Sequence, residues 1–102
     1  MAKERKHEDP VEALERSAVA RARRHLRRGE LRKALTALRE ACLLDERDAA
    51  RWTQYGALLA RVGRSQDARA ALRHALWLRR SSGDDARARV TAQIIDHLPV
   101  AA

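Results

Sequence analysis

The chain has 102 residues, with 22 Lys and Arg against 14 Asp and Glu, for a formal charge of +8. That length allows one domain with a modest core, and the abundance of Ala, Leu, Arg and Glu, with no Phe and few Gly or Pro, favours helices over strands. No apolar run approaches the roughly 18 residues of a membrane span, and MAKERKHEDP has no apolar core behind its charges, so neither an anchor nor a secretory signal is expected and the expected location is the cytoplasm.

Residues 1–8 are charged and aperiodic and read as a flexible arm. Asp9-Pro10-Val11-Glu12 reads as a helix start: Asp9 to cap free amides, Pro10 at the first helical position, Glu12 three residues after the cap. The first helix is expected over residues 10–28 and closes at Gly29. A second, over residues 31–44, carries the apolar stripe Leu31, Leu35, Leu38 and Cys42. Cys42 is the one cysteine of the chain, so no internal disulfide can form; it reads as a small buried hydrophobe. Asp45-Glu46-Arg47-Asp48 is a polar link, with Asp48 to cap a third helix over residues 49–62. A fourth is expected over residues 66–79, capped by Ser65. Ser81-Ser82-Gly83-Asp84 reads as a turn, and a fifth helix over residues 85–98 stops before Pro99, leaving residues 99–102 as a tail. The pattern is all-α: two antiparallel hairpins and a capping helix, an α-solenoid fragment.

A shift of 34 residues places Gly29 on Gly63, Ala34 on Ala68, Leu38 on Leu72, Ala41 on Ala75 and Ala22 on Gly56. The chain therefore holds two related units, about residues 15–48 and 49–82. In the second unit Trp52, Tyr55-Gly56, Leu59, Ala68, Leu72 and Ala75 stand at the spacing W-x2-L-G-x2-Y…A-x3-F. On those residues the chain resembles the tetratricopeptide repeat family. Tyr55 and Leu59 exchange the usual residue types, and Arg80 stands where the family has Pro. In the first unit Ala18, Arg21 and His25 occupy slots that usually hold large apolar groups.

The small residues Gly56, Ala68 and Ala75 fit a close helix crossing, with Gly63 closing the hairpin. Trp52 is expected to be wedged between neighbouring hairpins, burying roughly 150–250 Å². For the fifth helix, Ala86, Val90 and Ile94 form one stripe, widened by Ala88, Ala92, Ile95 and Leu98. Its broad apolar surface suits a cap or a docking face. Trp77, flanked by Leu76 and Leu78, has two readings: a partly covered hydrophobe near the cap, or a partner contact shared with Ile94 and Ile95.

No Gly-rich phosphate loop, HExxH pair, or Ser or Cys with a base at known spacing occurs, and His7, His25, His74 and His97 lie on separate segments. A catalytic, metal or cofactor role is therefore not expected. What the family resemblance implies is binding of a peptide or helix on the surface lined by the first helix of each pair. In this chain that surface is expected to hold Arg16, Arg23 and Arg27, then Gln54 and Arg61, then Arg87 and Thr91, an Arg-lined groove suited to an acidic segment. Family members that grip a C-terminal carboxylate do so from positions held here by Val19, Arg23, Gln54, Asp84 and Ala88, and Asp84 repels such a ligand. Two other readings stay open: a nucleic-acid or ribosome-associated protein, from the charge, and a subunit stable mainly within an oligomer, from the short array.

Overall fold

The computed structural model describes residues 9–100. Five helices follow in order: α1 (Pro10–Arg27), α2 (Leu31–Leu44), α3 (Ala49–Arg61), α4 (Ser65–Ser81) and α5 (Asp85–Asp96). No strand occurs among the described residues, so the chain is all-α, as its composition and periodicity imply. The expected arm over residues 1–8 and the end of the tail, residues 101–102, lie outside the described residues.

Three of the four connections are the same turn. Gly29 and Gly63 take φ of +71° and +85°, a left-handed conformation that glycine enters without a Cβ penalty. Each glycine amide donates three residues back, Gly29 to the Leu26 carbonyl and Gly63 to the Ala60 carbonyl, both at 3.1 Å. The following amides donate five back, Glu30 to His25 and Arg64 to Leu59, both at 2.9 Å. This double closure satisfies carbonyls that the helix end leaves open, and Gly83 repeats it between α4 and α5. The α2–α3 link has no glycine. There the Asp45 carboxylate accepts from the Arg47 amide at 3.2 Å.

Side-chain caps start three helices: Asp9 accepts from the Val11 amide at 2.7 Å, Asp48 from Arg51 and Asp84 from Arg87, both at 3.2 Å. Glu12 sits in the first turn of α1, where the helix dipole favours an acid. Ser65 does not cap α4. The glycine turn fixes Arg64 as the residue before the helix, just as Glu30 precedes α2, and Ser65 falls inside. Arg64 instead donates its Nε to Asp67 Oδ2 at 2.9 Å. α4 also continues to Ser81, because the chain stays helical until Gly83 turns it.

The turns carry the clearest acid sensitivity. Hydrogen bonds from the Arg87 amide and then its guanidinium hold Asp84 below the usual carboxylate range; His25 and then Lys33 do the same for Glu30. A carboxyl whose pKa is lower folded than unfolded contributes stability above the unfolded value, about 4, and loses it as pH falls through the folded one. Urea midpoints should therefore drop between neutral pH and the acid side of that window. Asp84→Asn keeps a good cap but cannot titrate, so it should flatten the acid limb. An identical limb in the variant would contradict this.

Only consecutive helices pack extensively. The result is a zigzag with α1 and α3 on one face and α2 and α4 on the other. The Cα extents are 63 × 35 × 18 Å and the radius of gyration is 15.5 Å, against about 13 Å for a spherical domain of this size. Positions 34 apart have matching environments: Ala34 and Ala68, Leu38 and Leu72, and Ala41 and Ala75 are all buried. Gly56 is buried where α3 crosses α4, facing Leu72 and the Ala68 carbonyl.

Two expectations change. Trp52 is half-buried rather than sealed in the seam. Its Nε1 donates to the Glu46 carbonyl at 3.0 Å, and its ring meets His74 edge-on at 4.6 Å and Tyr55 at 6.3 Å. It thus packs on α4 of its own hairpin and on the interhairpin link. The packing stripe of α5 is also rotated. Val90 and Ala86 are exposed, while Ala88, Thr91 and Leu98 are buried and Ala92, Ile94 and Ile95 half-buried. Thr91 can face the core because its Oγ1 donates to the Arg87 carbonyl at 2.9 Å. Arg69 then anchors the end of α5, reaching the carbonyls of Ile95 (3.5 Å) and Pro99 (3.4 Å).

Candidate functional site

Because α1 and α3 touch α2 more than each other, a groove opens between them, with Leu38 of α2 at its base. Its volume is 310 Å³. Val19, Ala22 and Leu26 come from α1, and Ala57 and Leu58 from α3; Arg23, Arg51, Gln54 and Arg61 stand among them. No carboxylate lines it. An apolar floor under guanidinium groups favours a ligand that offers a hydrophobic side chain and negative charge together.

Of the expected contact residues, Arg23, Gln54 and Arg61 are brought together. Arg16 and Arg27 lie on α1 outside the lining. Arg87 is turned to Asp84, with Nη1 3.1 Å from Oδ2, and Thr91 is core. Arg51 was not expected. Its Nη1 donates to Gln54 Oε1 at 2.8 Å, which leaves the Gln54 amide N–H groups as donors. Its Nε lies 3.8 Å from Asp48 Oδ2, beyond hydrogen-bond distance, and is buried without a partner. The residue falls three positions before Gln54, on the same helical face, and that spacing was the available signal.

Beneath Arg51, α1 and the α2–α3 link bring Glu15, Asp45 and Asp48 together, with carboxylate oxygens within 4.8 Å. Burial, then the charges of Asp45 and Asp48, push the Glu15 pKa up, while Arg51 opposes them. The guanidinium supplies the counter-charge this trio needs. Cys42 is fully buried, and that burial pushes its thiol up to about 12, so it behaves as a packed hydrophobe.

On the opposite face a wider groove of 1230 Å³ runs between α2 and α4 over α3, with Trp52, Tyr55 and His74 in its wall. Trp77 is 62% exposed and lies parallel to His74 at 6.2 Å. Ile94 and Ile95 are half-buried against the core, so they do not join Trp77 as an exposed surface.

Fold and grooves define the class: an all-α array of helical hairpins with an open groove on each face. Scans of the chain against family models, curated proteins and solved structures return no match. No helix among the described residues is long and apolar enough to cross a membrane.

Proposed function

We propose that the chain is a non-catalytic cytoplasmic adaptor that binds an acidic segment of a partner protein in the α1–α3 groove, as its resemblance to tetratricopeptide repeats implies. The observation that carries this is the convergence of Arg23 and Arg61, with Gln54 held by Arg51 between them, on an apolar floor with no lining carboxylate. One aliphatic side chain of the ligand sits between Val19, Leu26 and Leu58. Arg23 and Arg61 meet its flanking carboxylates, and Gln54 donates to its backbone. The matched burial of residues 34 apart supports the repeat assignment.

The test is fluorescence anisotropy with a labelled peptide of Glu residues around a single Leu. Arg23→Glu with Arg61→Glu should weaken binding at least about tenfold, since each reversed charge faces the ligand directly. Arg27→Glu, outside the lining, should change it little. Both variants keep exposed positions exposed, so helicity should be unchanged. Equal affinity for wild type and the double variant would reject the groove.

A further inference from the structure

We infer that the α2–α4 groove is a second docking site, for an amphipathic helix of a partner protein that carries acidic residues beside its apolar stripe. The inference does not rest on the α1–α3 reading, because the two grooves open on opposite faces and share no residue.

Size and shape point to a helix. The groove is about four times the volume of the other (1230 against 310 Å³). Its floor is aliphatic, with Leu31, Leu35, Leu59 and Val62 running along it. From Leu31 to Arg39 the α2 lining spans about 12 Å at 1.5 Å per residue, some two helical turns, and Leu43 lies one turn further along the same face. Leu43 and Trp77, 54% and 62% exposed, stand one repeat apart beyond the lining. Through the row Trp52–His74–Trp77 the aromatic wall continues out to that end. A helix laid between α2 and α4 places successive apolar residues on this line.

Charge selects the flanks of that helix. Arg32 and Arg39 rim the groove, and neither side chain has an ion-pair partner among the described residues. Arg64 is held by Asp67, the sole carboxylate in the lining. A second copy of this chain, at +8, meets repulsion here. Single-stranded nucleic acid needs a run of open aromatic faces for stacking; here only Trp77 of the aromatic row is exposed, because Trp52 is fixed edge-on to its neighbours with its Nε1 engaged.

The experiment uses the full chain carrying Trp77→Phe, so that Trp52 reports alone from the groove wall; the α1–α3 groove contains no aromatic residue. The probe is a stapled helix of about 14 residues, roughly 21 Å long, with Leu at i, i+4, i+7 and i+11, Glu beside them, and no Trp or Tyr. Saturable change in Trp52 emission is expected. Ala70→Glu, at an exposed position in the groove wall, and separately Arg32→Glu with Arg39→Glu, should each weaken binding about tenfold. Arg23→Glu with Arg61→Glu should leave it unchanged. Equal binding of a probe with Lys in place of Glu would overturn the inference. So would an unchanged affinity in both groove variants, or loss of binding only in the Arg23/Arg61 variant. Dimerisation in light scattering that Ala70→Glu abolishes would assign the groove to a second copy and overturn it, as would poly(U) binding lost in the same variants without any peptide response.

Discussion

Leu72→Ala should lower the unfolding free energy by about 3–5 kcal/mol, because the side chain is fully buried and its neighbours cannot close over the gap. That is a large share of the 5–15 kcal/mol that typically holds a domain together. The same residue controls what Gly56 tolerates. In an exposed helix, Gly→Ala gains up to about 1 kcal/mol from propensity. Here a Cβ at residue 56 would stand 2.6 Å from Leu72 Cγ and 2.9 Å from its Cδ2. Leu72 has no free space to retreat into, so Gly56→Ala should instead cost roughly 1–3 kcal/mol by overpacking. The two effects are coupled. Leu72→Ala removes the atoms that meet the new methyl group, so adding Gly56→Ala to that background should be neutral or stabilising. The resulting interaction is about 2 kcal/mol or more, in the range seen for residues in direct contact. Urea unfolding followed by circular dichroism checks this cycle. Simple additivity would mean that α3 and α4 cross elsewhere.

Trp52→Ala should cost roughly 2 kcal/mol, less than the 3–5 kcal/mol of a sealed indole. The ring is half-buried, so part of its area never leaves water. It still ties the α2–α3 link to α4 through the Glu46 carbonyl, which also lies 3.1 Å from His74 Nε2. Trp52→Phe keeps one aromatic ring but loses the pyrrole ring with its N–H, and should account for about 1 kcal/mol or more of the total. Trp77→Ala, at an exposed position, should stay within about 0.5 kcal/mol. Thermal melts of the three variants rank these contributions. A cost above about 4 kcal/mol for Trp52→Ala would mean a buried ring, and near-equal costs for the two tryptophans would contradict the placement of both.

The helices were readable because glycine punctuates them. Gly29 and Gly63 stop α1 and α3 at a fixed offset from the next apolar stripe, and the 34-residue shift ties the two hairpins together. The face of α5 was not readable in the same way. Thr91 counts as polar in a periodicity argument, yet a single bond to the Arg87 carbonyl lets it face the core and rotates the stripe away from Val90. Trp52 was misplaced for a different reason. Its slot in the repeat pattern says which helix it faces but not how far two hairpins splay, and that distance depends on α1 and α3 resting on α2 rather than on each other.

The proposed binding surface divides along the same line. Arg23, Gln54 and Arg61 could be chosen from the first helix of each pair, since periodicity places them on one face. Arg16 and Arg27 share a helix with Arg23 but do not line the groove, and Arg87 is taken by Asp84, the cap of its own helix. Arg51 was missed although its spacing from Gln54 places it on the same helical face; that it is held half-buried at the groove depends on the carboxylates of Glu15, Asp45 and Asp48, which come from two separate segments. The α2–α4 groove draws on three helices, and no periodicity within one helix reveals it.

The most direct measurement is the set of backbone amide shifts perturbed when the Leu-bearing acidic peptide is titrated into the 15N-labelled chain. The expected result is a saturable footprint on Val19, Ala22, Arg23, Gln54, Ala57, Leu58 and Arg61, with the exposed faces of α4 and α5 silent. Shifts confined to α4 and α5, or none at saturating peptide, would contradict the assignment of the α1–α3 groove as the partner site.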